Sequence, residues 1–315
     1  MRAATLQQLF DEPADARPVA AARAAAMRVD PIRSILDAQE PDGWWTKSGS
    51  GYSPKYTSTV WELCFLDQLG ADGSDPRIQR ACEYVLEHTQ APNGGFGASG
   101  VKDSGSPPPS RVIHCLNGNL TRALIGFGRL DDIRVKAAVD WAARTITGEG
   151  VDRYYESGTS GPGFACGANA KKPCAWGAVK ELRALARLPK RRRSPLVRRA
   201  IDQGVEFMLS RDPAVADYPM PSRDKRPSRS WFQLGFPSGY VADVLQTLEV
   251  LSELGHGRDA RLENALSWLE GQQHEGRWPN RYAYNGKTIV DFERQGHPSK
   301  WVTLRACTVL RAALG

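Results

Sequence analysis

Gln90-Ala91-Pro92-Asn93-Gly94-Gly95-Phe96 decides how this chain folds, because the same spacing returns as Gln39-x3-Gly43-x-Trp45 and Gln272-x3-Gly276-x-Trp278. Each copy follows a stretch with helical apolar spacing. Glycine stops that helix by taking a positive φ, the aromatic ring turns back over the helix end, and the glutamine amide can bond the freed backbone groups. The phrase reads as a clamp at the end of a helix. After two further helices it is eroded, to Gly148-Glu149-Gly150 and Arg211-Asp212-Pro213.

Upstream of each clamp stands a helix start, an Asp or Ser after a short turn. The starts are Asp30-Pro31-Ile32, Asp75-Pro76-Arg77-Ile78, Asp132-Ile133-Arg134-Val135, Ser194-Pro195-Leu196-Val197 and Asp259-Ala260-Arg261-Leu262. An N-cap side chain, with proline at the first helical position in some copies, fixes the start of an amphipathic helix. Ile78, Ala81, Cys82, Val85 and Leu86 illustrate the single apolar stripe that follows, so these helices are expected to be outer ones with one wet face. Between them lie Thr57 to Leu69, Leu116 to Phe127, Ala175 to Leu188, Tyr240 to Leu254 and Trp301 to Leu314, apolar around more of their circumference. Such helices belong inside. No comparable run of alternating β-branched residues predicts a major sheet.

The Gln-x3-Gly-x-Trp phrase is similar to the repeat of the squalene and oxidosqualene cyclases and of the protein prenyltransferase β subunits, and the resemblance covers about residues 30 to 314. It implies an all-α fold, an α/α toroid of five to six inner and outer helix pairs. Residues 30–315 are then the toroid domain, and residues 1–29 an N-terminal arm or the first toroid helix. Arg17 to Arg28, rich in Ala and Arg, is the candidate for the missing inner helix.

The chain has 315 residues with 42 Lys and Arg against 35 Asp and Glu, a formal charge of +7, and 41% hydrophobic residues. That is enough apolar material for a sizeable core. No stretch is long enough to span a membrane and the start lacks the apolar run of a secretory signal, so a soluble cytoplasmic protein is expected, with peripheral membrane contact left open. The run Lys190-Arg191-Arg192-Arg193 has no stacking aromatics beside it and reads as solvated charge, not a nucleic-acid site.

In a toroid the N-terminal ends of the inner helices gather at one mouth. His114 and Cys115 stand before the second inner helix, Cys174 opens the third, and Cys166 lies in the irregular stretch from Gly148 to Pro173, which holds six glycines from Gly148 through Gly167. Three thiols and an imidazole suit zinc; the alternative is packing for Cys115 and Cys174 and a surface thiol at Cys166. Cys64, Cys82 and Cys307 sit at apolar helical positions and read as core. The prenyltransferase β subunits open one inner helix with Asp-x-Cys and the next with His, both on zinc. Cys174 resembles that cysteine, but Lys172 stands at the aspartate position. Lanthipeptide cyclases also build a Cys/Cys/His zinc site on such a toroid, in a different order. The Asp-x-Asp-Asp protonation motif of the class II terpenoid cyclases does not occur here.

Tyr52, Tyr56, Trp61, Trp176, Trp231, Phe236, Tyr240 and Trp301 are expected at the cavity mouth, where ring faces could hold an apolar chain and stabilise cations; with Lys300 they form the expected substrate site. Asp243, Asp291, Glu293 and His297 are the candidate acids and bases. The expected activity is cyclase-like or prenyltransferase-like, on an isoprenoid or other long apolar substrate in the toroid cavity, with zinc as a possible cofactor. The alternatives are a non-catalytic toroid whose zinc staples a loop, and zinc-dependent peptide modification. An axis filled by the chain's own side chains would count against the enzyme readings.

Overall fold

The computed structural model describes residues 1–98, 106–151, 159–219 and 227–315. Its helices are α1 (Arg2–Leu9), α2 (Arg17–Ala26), α3 (Ile32–Asp37), α4 (Thr59–Leu69), α5 (Pro76–His88), α6 (His114–Gly126), α7 (Ile133–Thr147), α8 (Ala175–Ala186), α9 (Pro195–Leu209), α10 (Val244–Glu253), α11 (Glu263–Glu270) and α12 (Lys300–Leu314). One two-stranded ribbon joins β1 (Ser160–Gly161) to β2 (Ala165–Cys166), antiparallel. The architecture is an α/α toroid. The inner helices contact one another in the order α4, α6, α8, α10, α12, while α5, α7, α9 and α11 each pack outside the inner helix before them.

The expected caps are in place at four starts: Asp75, Asp132, Ser194 and Asp259 accept from the backbone N–H of Arg77, Arg134, Val197 and Arg261. Asp30 departs from the pattern. Its carboxylate takes the side chains of Arg33 and Ser34 instead, and α3 is only six residues long. At the other seam, α1 contacts both α12 and α2. The sequence places the closing helix at Arg17 to Arg28; that segment forms α2, and α1 adds a second short helix beside it, tied to α12 by Arg311 donating to the Gln8 carbonyl at 3.0 Å.

Backbones approach most closely between α6 and α8. A Cβ built on Gly118 would lie 2.3 Å from the carbonyl carbon of Lys180 and 2.6 Å from the nitrogen of Glu181, so only glycine lets these two inner helices meet at that level.

The clamps do more than close their own helices. Gln90 Nε2 donates to the Gly94 carbonyl at 2.7 Å and to the Arg134 carbonyl at 2.6 Å, tying its turn to the first turn of the next outer helix. Gln39 does the same to Gly43 and Arg77. The aromatic residue then joins the ring inward: the backbone N–H of Trp45, Phe96 and Trp278 donates to Thr59, Asn117 and Thr303 on the following inner helices. The indoles of Trp45 and Trp278 cover their helix ends, donating to the Ile35 and Leu269 carbonyls at 2.7 Å. At the eroded fourth copy, Tyr218 and Trp231 take over that cover, bonding the Met208 and Pro213 carbonyls.

Among the described residues, the Gln272 amide reaches no other helix and makes one long bond of 3.4 Å to the Trp268 carbonyl. Gln90→Ala should therefore lower unfolding stability by about 1–3 kcal/mol, and Gln272→Ala by less than about 0.5 kcal/mol. Urea denaturation of the two variants measures the difference, and equal losses would contradict the clamp.

Candidate functional site

The axis of the ring is occupied by its own chain. Residues 235–239 run between inner helices that are not all neighbours: Arg305 of α12 donates to the Gly235 carbonyl at 3.0 Å, Gln68 of α4 pairs with both backbone groups of Ser238, and Asn119 of α6 donates to the Gly239 carbonyl. This is why α10 starts at Val244 and not near Tyr240, as its apolar pattern suggests. Aromatic rings fill the space around the segment. Tyr240, Trp61, Tyr56, Tyr284, Phe65, Phe292, Phe236 and Trp301 form a continuous column with successive centroids 4.3 to 6.4 Å apart. Tyr52 joins beside Trp61 and Tyr240, and Lys55 Nζ sits 5.4 Å from the Tyr240 ring centre. The expected axial substrate channel is thus closed along this column, because packed rings gain more from one another than from a void.

Space remains on either side. Near the N-terminal ends of the inner helices lies a cavity of about 330 Å³, lined by Cys115 of α6, Cys174 and Trp176 at the start of α8, Cys166 of β2, Tyr218, Trp231 and Tyr240. Three of the rings expected at a substrate site, Trp176, Trp231 and Tyr240, line it. Tyr52, Tyr56, Trp61, Phe236 and Trp301 belong to the column, and Lys300 is exposed.

The sequence brings the three thiols to one cavity, as their positions at neighbouring helix starts predict, but the zinc expectation is corrected. Among the described residues no group of three or more His, Cys, Asp and Glu is placed to hold a metal ion. His114 is engaged elsewhere. It is buried with both ring nitrogens occupied, Nδ1 at 3.2 Å from Glu181 Oε1 and Nε2 at 3.2 Å from the Gly161 carbonyl. Asn117 donates to the same carboxyl, and burial raises the Glu181 carboxyl, with His114 and Asn117 opposing. His114 belongs to a buried polar network with Glu181 and Asn117.

The thiols differ from one another. Cys174 donates to the Cys166 sulfur, and that bond, with the backbone N–H groups of Ala168 and Asn169 and the nearby His114, brings Cys166 down to about 6 against the cost of burial. Cys174 is pushed well up by the same bond and by burial. Burial raises Cys115 to about 12. The bond between Cys174 and Cys166 thus favours the thiolate at Cys166 and the protonated form at Cys174.

The four expected acids and bases do not meet. Asp243 is the N-cap of α10, accepting from Gln246 N–H at 2.7 Å, and burial raises its carboxyl. Asp291 accepts from Gly286 N–H at 2.8 Å on the surface. Glu293 accepts from the Ser299 hydroxyl that caps α12, and burial raises it. His297 is exposed, three residues before α12.

Sequence reasoning missed the charges inside the inner helices. Lys180 is fully buried and donates to Gln246 at 2.5 Å; burial, with Arg183 nearby, lowers it to about 7. Among the described residues, both Glu62 carboxyl oxygens are buried with no hydrogen-bond partner, and burial raises that carboxyl well up. The signal was present: a charged residue inside a segment that is otherwise apolar around its circumference has no wet face to use.

No family model and no curated protein matches the chain. Among solved structures, the type II terpene cyclase MstE from Scytonema is similar at 15% identity and a TM-score of 0.32, over 98% of this chain and 99% of that one. A protein from Actinoplanes gives 15% and 0.33 over 93% and 100%. Alpha-2-macroglobulin from Salmonella, reacted with methylamine, gives 12% and 0.37 over 90% of this chain and 16% of that chain. Likeness at these scores carries no argument, and the ring rests on the chain's own contacts. No described helix is long and apolar enough to cross a membrane.

Alkylation of Cys166 by iodoacetamide, followed by peptide mapping, should rise with a midpoint near pH 6. In Cys174→Ala the thiolate loses its main donor, and the midpoint should move up toward the ordinary thiol range of about 8.5. An unmoved midpoint would remove Cys174 as the cause.

Proposed function

We propose that this chain binds an isoprenoid or similarly long apolar molecule in the cavity beside Cys166 and acts on it in cyclase-like or prenyltransferase-like chemistry. The observation that carries the reading is the make-up of that cavity: aromatic and alanine walls with the thiols of Cys115, Cys166 and Cys174 among them. An apolar chain gains from leaving water against such walls. The faces of Trp176, Trp231 and Tyr240 would stabilise positive charge developing on it. Cys166 takes the part of a base, accepting the proton whose loss from a carbocation on the chain leaves a carbon–carbon double bond, and Cys174 holds Cys166 in that form by its hydrogen bond. A cavity of about 330 Å³ is at the small end for a ligand site, so it encloses one end of a long chain.

This reading moves the chemistry away from Asp291, Glu293 and His297, which lie on the segment entering α12, and away from metal. A second reading, a binding protein without catalysis, is favoured by the filled axis.

Mass spectrometry of solvent extracts of the purified protein, and quenching of tryptophan fluorescence by geranylgeraniol, test binding. Trp231→Ala should weaken that binding about tenfold. Cys166→Ser that binds but no longer converts the ligand supports the enzyme; a wild type that binds without conversion supports the second reading. Failure of the wild type to bind any apolar chain removes both.

A further inference from the structure

The cavity on the opposite side of the aromatic column has different chemistry. It measures about 300 Å³ and lies beside the C-terminal ends of α4, α6 and α8 and the first two turns of α12, with Phe236 and Trp301 in its wall. Five arginines reach its wall, Arg23 of α2, Arg122 of α6, Arg183 of α8, Arg187 just beyond α8, and Arg305 of α12, against two carboxylates, Asp67 and Glu249. Glu253 stands at the edge, 3.9 Å from Arg122.

Each carboxylate is shared. Glu249 accepts from Arg305 Nε and Nη2 at 2.7 and 2.5 Å, and stands 3.7 Å from Arg183. Asp67 accepts from Arg187 and is 3.5 Å from Arg122 Nε, which is buried and has no hydrogen-bond partner among the described residues. Arg183 is 8% exposed, and its nearest neutral acceptor is Gln246 at 3.3 Å. The helix C-termini carry partial negative charge and offset part of the excess; Arg187 answers one of them by donating to the Arg122 carbonyl. Arg122 and Arg183 stand 3.5 and 3.7 Å from carboxylates already bonded by Arg187 and Arg305, and Arg23 lines the same cavity, so guanidinium groups outnumber carboxylates on its wall. Burial, with Arg122 nearby, lowers Arg183 to about 10, as expected of a buried cation short of counter-charge.

We propose that this cavity is an anion site for a phosphate-type ligand carrying several negative charges, held by Arg122, Arg183 and Arg23. Planar guanidinium groups bind phosphate oxygens in pairs, and such charge-assisted bonds are the strong ones. The aromatic column separates this site from the thiol cavity, so it stands whether or not that cavity binds an apolar chain.

Isothermal titration of the full chain with sodium pyrophosphate, and separately with octyl phosphate, tests the proposal. Binding of either supports it. Tighter pyrophosphate identifies a free anion as the source, and tighter octyl phosphate the head of a phosphorylated chain. Arg122→Gln should weaken binding about tenfold; its side chain is 22% exposed, and circular dichroism checks that the variant is folded. The double variant Lys190→Gln/Arg191→Gln, in the exposed basic run, should bind like the wild type. The proposal is overturned if neither ligand binds, if folded Arg122→Gln binds undiminished, or if the surface variant loses binding equally.

Discussion

A ring of parallel helices has a hole at its centre, and an apolar hole of that size must be filled by side chains or by a ligand, because a dry void forfeits the dispersion contacts of everything lining it. Here the chain supplies the filling. The segment 235–239 enters the axis and is fastened to α4, α6 and α12 by hydrogen bonds, and rings from α4, α12 and the loops entering α10 and α12 stack along it. With the middle closed, one central cavity becomes two, and the two differ in character: apolar with thiols at one end, polar with guanidinium groups at the other.

The charged residues of the inner helices are arranged consistently with this division. Glu181 and Asn117 hold His114 near the thiol end. Lys180 sits between α8 and α10 on Gln246. Arg183, Arg305 and Glu249 lie at the guanidinium-lined cavity, where Arg305, Arg183 and Arg122 outweigh the effect of burial and hold Glu249 down at about 2. Buried charges of this kind are costly unless paired. Pairing across neighbouring inner helices fixes their mutual register as well as their contact.

Much of the fold was legible. The clamp spacing at Gln39, Gln90 and Gln272 encodes a local event, a helix ending in a positive-φ glycine covered by an aromatic ring, and local events are written in adjacent residues. The caps at Asp75, Asp132, Ser194 and Asp259 were readable for the same reason. The gathering of Cys115, Cys166 and Cys174 followed from order in the ring. What failed was the step from nearness to ligation. Whether His114 turns to the thiols or to Glu181 depends on a residue 67 positions away, and nothing in the sequence near His114 announces it. The eight-residue helix α1 was missed because it has no fully buried residue and little amphipathic contrast; it is held by α12 and α2.

By itself, the sequence determined the paired helices, their inner and outer assignment and the sharing of like helix ends, since periodicity, caps and clamps act within a few residues. Only the tertiary structure decided that Tyr56, Trp61, Phe236 and Trp301 close the axis instead of lining it, that His114 serves Glu181, and that arginines from α2, α6, α8 and α12 face one cavity. Those outcomes depend on which side chains from distant segments compete for the same buried volume and the same few polar partners, and that competition is settled only when the ring closes.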